Sequence, residues 1–181
     1  MHLVRTSATE AMRSMNAIAK HGLSSQFGLP LAAVGSVPIQ EFHVYWQGMR
    51  QGDQLPSRSD LEPADIKHLL PHVLLADLEP TPFRVRYRVC GTRVAEMCGD
   101  VTGRYLDELD GGSTWSPAEF QQQYEFVSQR RTPVFGRQWI LSRYDTPYPC
   151  FIGIWPLARN GHDIDMCIAI EDYLELRRDQ L

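Results

Sequence analysis

The sequence lacks the short motifs that mark most enzyme active sites. It contains no G-x-S-x-G, H-E-x-x-H, Walker phosphate-binding or G-x-G-x-x-G pattern, and its paired glycines, Gly111 and Gly112, are typical of a loop. Its paired acids fall on predicted turns and strand faces, where carboxylates normally meet solvent. An enzyme that holds an anionic small molecule with Arg58 or Arg137 is therefore the minority alternative.

Cysteine is scarce and is not arranged for a metal or a dithiol. The four cysteines form no C-x-x-C pair and have no short spacing to histidine. His68 and His72 are four residues apart, as two ligands on one helix face would be, but Pro71 interrupts that helix. We therefore predict no metal site and free thiols, mostly buried, that stay reduced in a cytosolic protein.

Long apolar runs and a strong positive charge are also absent. No run approaches the roughly 20 residues of a membrane span, and the N-terminus lacks the apolar region of a secretory signal. We expect a cytoplasmic protein with no membrane span. The net charge of -4 argues against nucleic-acid binding through phosphate neutralisation. Three arginines on one strand, Arg84, Arg86 and Arg88, indicate a solvated or covered face.

The stretch from Phe83 to Leu109 carries the clearest structural signal. Apolar residues at positions 83, 85, 87 and 89 alternate with polar ones, which predicts a strand with one buried face. Gly91 ends the alternation, and helical spacing then continues to Gly99. A turn at Gly103 follows, leading into a short acidic segment. The stretch therefore predicts a strand, a two-turn helix and a turn in succession.

Helical patterns occupy four further places in the chain. A helix is predicted over Thr6–Lys20, followed by a linker over Leu23–Val37. A second helix is predicted from Pro38 to about Arg50, and a third from Ser116 to about Arg131, where Glu119 lies at capping-box spacing. A shorter helix opens at Pro63 and stops at Pro71.

Strand patterns lie on both sides of the predicted helical middle. The first strand spans Val73–Glu79 and forms a hairpin with the arginine-bearing strand. Three more strands, over Val134–Tyr144, Cys150–Ala158 and Ile164–Ile170, form a meander, with Glu171 opening a charged tail. Asn160-Gly161 predicts a type I′ turn between the last two strands, with His162 exposed.

These pieces together resemble a PAS domain. The segment from Gly103 to Leu109 reads G-R-Y-L-D-E-L, close to the G-R-x-L-x-E-L of that family. Trp46 and the runs Leu55–Val73 and Arg86–Thr92 resemble more particularly the stand-alone proteobacterial PAS domain family 5, and the likeness covers roughly Phe42–Glu175. The resemblance implies an α+β fold with a five-stranded antiparallel sheet, helices crossing one face and N-terminal flanking helices. It divides the chain into residues 1–37, a domain over 38–175 and a tail over 176–181.

The resemblance also implies a cavity between the sheet and the crossing helices. Its candidate lining is aromatic and thioether side chains from both layers, with Arg137 and Ser142 as polar anchors, although the same residues suit a filled core. The candidates are Tyr87, Tyr105, Trp115, Tyr124, Arg137, Trp139, Ser142, Trp155 and Met166. Three positions of the family motif, Trp46, Arg58 and Asp60, have a structural or a functional role, and the structural one is favoured.

These residues do not identify a cofactor, but they disfavour two, a flavin that forms a photoadduct and haem. The region from Gly111 to Ala118 has no cysteine for the photoadduct of flavin-binding members. The third helix has no histidine for haem.

The favoured hypothesis is a cytoplasmic sensory domain that binds a small metabolite or a protein partner. The chain holds no recognisable output domain, so signalling would pass to another protein. A homodimer through the N-terminal helix, motivated by Met12, Met15 and Ile18, is expected, and a purely structural dimerisation module is the alternative.

Overall fold

An antiparallel sheet with helices on both faces forms the body of the chain. A computed structural model describes residues 25–110, 116–142 and 147–174. The six strands lie in the order β1-β4-β5-β6-β2-β3, and every neighbouring pair is antiparallel. They are β1 (Gln26–Phe27), β2 (Val73–Pro80), β3 (Phe83–Cys90), β4 (Val134–Leu141), β5 (Pro147–Leu157) and β6 (Met166–Tyr173). The helices are α1 (Val37–Met49), α2 (Thr92–Cys98) and α3 (Pro117–Arg130).

The predicted α+β fold is confirmed, with one strand more than the five expected. The additional strand is β1, in which Gln26 pairs with Arg137 of β4, and the neighbouring Leu29 N–H donates to the carbonyl of Phe135 at 3.1 Å. Val34 is fully buried. The linker prediction was therefore wrong for residues 26–34, because a two-residue edge strand held by backbone hydrogen bonds leaves no periodic pattern to read. The helix predicted over Thr6–Lys20 lies outside the described residues.

Helix α1 covers one face of the sheet. The Ser36 hydroxyl accepts from the Ile39 N–H at 3.3 Å and caps the helix. Ile39, Phe42 and Trp46 recur at i, i+3 and i+7 and are buried, so α1 presents one apolar stripe to the sheet. The Trp46 indole N–H donates to the Pro156 carbonyl at 3.0 Å, which fixes α1 to β5.

Helices α2 and α3 cover the opposite face. Ser116 caps α3 as predicted, accepting from the Glu119 N–H at 3.5 Å, and Phe120, Tyr124 and Val127 form its buried stripe. Strand β6 contributes side chains to the hydrophobic cores on both faces of the sheet, because alternate residues of a strand point to opposite sides. Its Cys167 and Ala169 join the core under α2 and α3, while Ile168 and Ile170 join the core under α1.

The outer edge of β3 is covered by the segment that follows α2. The Gly103 N–H donates to the Tyr87 carbonyl at 2.7 Å, and the Tyr87 N–H donates to the Arg104 carbonyl at 3.0 Å. Arg84 forms an ion pair with Asp107 at 2.7 Å. The arginine face therefore meets a covering segment, one of the two environments that the strand pattern predicted.

Two local predictions were wrong, and the first is the type I′ turn at Asn160-Gly161. Residues 158–165 form a longer loop between β5 and β6, in which the Asn160 carboxamide oxygen accepts from the backbone N–H groups of His162 and Asp163. Gly161 has a φ of 78°, but among the described residues Arg131 is the only non-glycine with positive φ, so Asn160 does not meet the type I′ requirement. His162 is exposed, as expected.

The predicted helix after Pro63 is a run of turns over residues 63–69, followed by a 3-10 turn over Leu70–His72. Pro71 lies inside that turn because the second position of a 3-10 turn needs no N–H from it. No helix in the described ranges is both long enough and apolar enough to cross a membrane.

Candidate functional site

A cavity of about 290 Å³ lies between the sheet and the layer that contains α2 and α3. Four strands, β2, β3, β4 and β6, and both helices α2 and α3 contribute to it, and Gly99, with a φ of 87°, turns the chain across it at the end of α2. Its apolar lining consists of Leu74, Val94, Val101, Leu109, Phe120 and Ile140. Its polar lining consists of Tyr87, Cys98, Asp100, Arg104, Glu108, Asp110 and Glu171.

Glu171 is the buried carboxyl group of this cavity. It lies on β6, is 5% exposed, and accepts a hydrogen bond at Oε2 from the Tyr173 hydroxyl. The same hydroxyl lies 3.6 Å from the Cys98 sulfur. Burial raises the pKa of Glu171 to about 7, since the ionised form loses its hydration there, and the Tyr173 hydrogen bond only partly offsets this.

Two tyrosines lie against each other beside the cavity. Tyr87 from β3 lines it, and Tyr124 from α3 packs behind, with ring centroids 6.4 Å apart at an interplanar angle of 75°. Both side chains are buried, and burial raises the pKa of each phenol. They are therefore neutral near pH 7, and the structure brings together these two of the predicted lining residues.

The thiols near the cavity are also neutral. Burial raises the pKa of Cys98 to about 12 and raises the pKa of Cys90, Cys150 and Cys167 as well. All four cysteines are free, and the described residues contain no group of three or more potential metal ligands.

Gln138 is a buried polar side chain without a hydrogen-bond partner. It is 2% exposed, and neither its amide oxygen nor its amide nitrogen has a partner among the described residues. It lies on the same sheet face as Ile140, and the strand register places it beside Cys150, which in turn lies beside Tyr173. A polar strip thus runs across the sheet next to the cavity, and an orphaned amide in such a place requires an explanation.

Three of the predicted lining residues lie away from this cavity. Trp155 and Met166 belong to the core under α1, where the Trp155 indole N–H donates to His43 Nδ1 at 3.2 Å. Tyr105 lies over the arginine face of β3, with its hydroxyl donating to Glu79 at 2.8 Å. The sequence places aromatics on strands correctly, but it does not say which face of a doubly buried strand looks into a cavity.

The remaining predicted lining residues are dispersed. Arg137 and Trp139 line a second, smaller cavity of about 120 Å³ together with Phe151. Ser142 is buried just beyond the end of β4 and lines neither cavity. Trp115 lies outside the described residues.

The three family-motif residues lie on the α1 side of the fold and have structural contacts. Trp46 anchors α1, and the Asp60 carboxylate accepts from the Ser57 backbone N–H at 2.7 Å. The Arg58 guanidinium donates to the Leu61 carbonyl at 3.5 Å, and no ion pair between Arg58 and Asp60 occurs in the described structure. These contacts support the structural role for the motif.

Most polar residues of the cavity were missed by the sequence reasoning. Glu171 was assigned to a charged tail, although Cys167, Ala169, Glu171 and Tyr173 continue one alternation along β6. That continued alternation was the available signal. Asp100, Arg104 and Asp110 had no comparable pattern, because they lie on the irregular segment between α2 and α3.

Comparison with known proteins supports the fold. No curated protein matches the sequence. Among solved structures, an RNA-binding light-oxygen-voltage receptor matches with a TM-score of 0.52 and 11% identity over 93% of this chain and 45% of that chain. A fungal light-oxygen-voltage domain photoreceptor matches with a TM-score of 0.46 and 15% identity, covering 75% of this chain and 91% of that one. VqmA bound to DPO matches with a TM-score of 0.48 and 17% identity, covering 63% and 57%.

At such low identities a structural match shows at most a shared fold, which here rests on the receptor with the TM-score of 0.52, and nothing about ligands. The sequence evidence is more specific. The PAS_5 family model, described as a PAS domain, matches residues 34–165, which is well over half of the 181 residues. The chain therefore belongs to the PAS domain family.

Proposed function

We propose that this PAS domain is a sensory domain that binds a small molecule in the cavity beneath α2 and α3 and signals to a protein partner. The observation that supports the proposal is a cavity of about 290 Å³ in the core that is lined by a buried carboxyl group. Gln138, whose amide has no partner among the described residues, lies on the same face of the sheet. Ligand pockets are mostly apolar with a few placed polar groups, whereas packed cores satisfy theirs internally.

Strand β6 offers a route from the cavity to the opposite face. Glu171 lines the cavity, and its neighbour Ile170 packs in the core under α1. The Glu171 carbonyl also lies 2.9 Å from His72 Nδ1. A ligand that shifts β6 would therefore change the packing of α1, where a partner protein has access to the exposed residues Val37 and Val44.

Native mass spectrometry of the freshly purified protein, with an ultraviolet and visible absorption scan, tests this proposal. We expect a discrete additional mass in the wild-type protein, or one that forms when a library of metabolites is added. The absorption scan also tests the expectations that flavin photoadduct and haem chemistry are absent.

A pair of variants connects the bound mass to the cavity. Val94→Phe fills the cavity from α2, and Val44→Phe makes the same change at an exposed position of α1. The additional mass should disappear in Val94→Phe and persist in Val44→Phe, with folding of both checked by circular dichroism. No bound mass, and no response to the library, would reject the sensory proposal.

A second candidate function, an interaction module, is favoured by the apolar surface around the smaller cavity. Trp139 and Phe151 are half-buried there and Leu174 is exposed, next to the position where Gln26 pairs with Arg137. The chain that precedes Gln26 contains the predicted helix over Thr6–Lys20. If this helix makes a homodimer, deleting residues 1–24 should convert a dimer to a monomer in light-scattering measurements, and an unchanged mass would reject that role.

We also propose a cytoplasmic location, where a reducing compartment would keep the four free thiols reduced. For the signalling partner we propose only its class, a protein.

A further inference from the structure

The charges around the cavity have one predominant sign. Four acidic residues line it, Asp100, Glu108, Asp110 and Glu171, against a single basic residue, Arg104. The Arg104 guanidinium donates to the carbonyl of Glu108 at 3.0 Å, at the exposed outer end of the lining. Arg84 offsets Glu108 through an ion pair at 3.1 Å, but the acidic residues still outnumber these two arginines, so the lining is negative and concentrates cations.

Glu171 is the most buried of these acidic residues, and no cation from the described part of the chain pairs with it. Its Oε2 accepts from Tyr173, and no donor to Oε1 occurs among the described residues. None of the ion pairs in the described structure includes Glu171. A buried carboxyl is normally paired with a cation, and here that partner is missing.

The groups that face Glu171 from neighbouring elements do not supply the missing charge. They are neutral phenols and thiols, because burial raises the pKa of each one. They are Tyr173, Cys98, Tyr87, Cys150, Tyr124 and Cys90. The His72 imidazole contacts the backbone carbonyl of Glu171 rather than its carboxyl group.

We propose that the cavity binds a small organic cation, a protonated amine or a guanidinium, whose charged group pairs with Glu171 while its apolar part lies against Leu74, Phe120 and Ile140. This inference rests on the proposed ligand-binding function and adds the chemical class of the ligand. The cation supplies the donor that Oε1 lacks. Its apolar part occupies a space lined by aromatic and aliphatic side chains.

Three probes of similar shape test the charge requirement directly. They are 2-phenylethylammonium, 2-phenylethanol and 3-phenylpropionate, titrated into the full chain by calorimetry. We expect binding of the cation only, and a loss of roughly 10- to 100-fold in affinity for it in Glu171→Gln, as for other charge-assisted hydrogen bonds. The amide in that variant can still accept from Tyr173, so the variant isolates the charge.

The pH dependence of binding is an independent measurement on the wild-type protein. Only ionised Glu171 pairs with the probe, so affinity for 2-phenylethylammonium should rise roughly 20-fold from about pH 5.5 to about pH 7.5, given a carboxyl pKa of about 7. Glu171→Gln should abolish this dependence while keeping His72, which separates the carboxyl from the imidazole.

Equal affinity for the neutral or anionic probe, or no binding of the cation at millimolar concentration, would overturn the inference. The sensory proposal has a separate test, because the bound mass that Val94→Phe removes does not depend on the charge of the ligand.

Discussion

Replacing Glu171 with glutamine should stabilise the ligand-free protein at neutral and alkaline pH. The folded protein raises the pKa of this carboxyl from an ordinary 4.5 to about 7 because the group is buried. At about 1.4 kcal/mol per pKa unit, this rise corresponds to about 3 kcal/mol. That is a large part of the 5–15 kcal/mol by which domains are typically stable, so the effect should be easily measured.

The direction of the effect follows from which state holds the proton. Below pH 4.5 Glu171 is protonated in both the folded and the unfolded chain, and its contribution to stability is complete. Between pH 4.5 and about 7 the unfolded chain loses its proton first, so the free energy of unfolding decreases as pH rises. Above about pH 7 both states are ionised, and the loss of about 3 kcal/mol is complete.

Urea unfolding followed by tryptophan fluorescence measures this difference. The free energy of unfolding of Glu171→Gln minus that of the wild type should be small near pH 4.5 and rise to about 3 kcal/mol at pH 8. Taking the difference cancels other titrating groups, such as His43 and Asp107. Native mass spectrometry must first confirm that no ligand is bound, because a bound cation would favour the ionised carboxylate.

A difference that stays constant within about 0.5 kcal/mol from pH 5 to pH 8 would refute the reasoning. It would mean that Glu171 titrates as an exposed carboxyl does, because the group is either solvated or paired with a compensating charge in the folded protein.

Three further predictions concern other parts of the fold. Burial lowers the pKa of His43, so the free energy of unfolding should fall as pH decreases below about 6.5. His43→Gln keeps an acceptor for the Trp155 indole and should reduce this fall, as measured by urea titrations. Gly91→Ala places a Cβ atom 2.4 Å from a backbone carbonyl and should lower the free energy of unfolding by on the order of 3 kcal/mol. The control, Gly48→Ala, lies in open space on α1 and should raise the free energy of unfolding by about 0.5–1 kcal/mol. Equal shifts in thermal unfolding would contradict this. Asp60→Ala removes the carboxylate that accepts from the Ser57 N–H in the capping box of the 3-10 turn and should cost about 1 kcal/mol by thermal unfolding. An unchanged stability would contradict a structural role for Asp60.

The sequence predicted the fold wherever one local signal was sufficient. The strand over Phe83–Cys90 has the predicted bounds, because its alternation ends at a glycine. Helix α3 begins after Ser116 because a capping side chain and a proline act at the same place. Each of these features depends on residues close together in the chain, so it can be read without knowing the fold.

The cavity was less predictable because it depends on which sheet face each residue occupies. Strand β5 is apolar on both faces, so the sequence contains nothing that assigns Trp155 to the α1 side. A shift of one residue reverses every assignment on a strand. Glu171 was missed for a related reason, since a carboxyl after an apolar strand suggests the end of that strand, yet β6 continues to Tyr173.

Glu171 is the residue at which folding and the proposed binding make opposite demands. A buried carboxyl whose raised pKa predicts a cost to the fold at neutral pH, and whose replacement by an amide of the same shape should remove that cost, has no explanation in folding alone. A cationic ligand supplies one, because it pairs with the ionised carboxylate and so stabilises the folded, bound state in proportion to its concentration. The glutamine variant should therefore be about 3 kcal/mol more stable than the wild type at pH 8 without the cation, and this advantage should shrink by about 1.4–2.7 kcal/mol once the cation is present at saturating concentration, given a 10- to 100-fold loss of affinity. This reduction depends on ligand pairing with Glu171, so a stability advantage of the variant that is the same with and without the cation would contradict it.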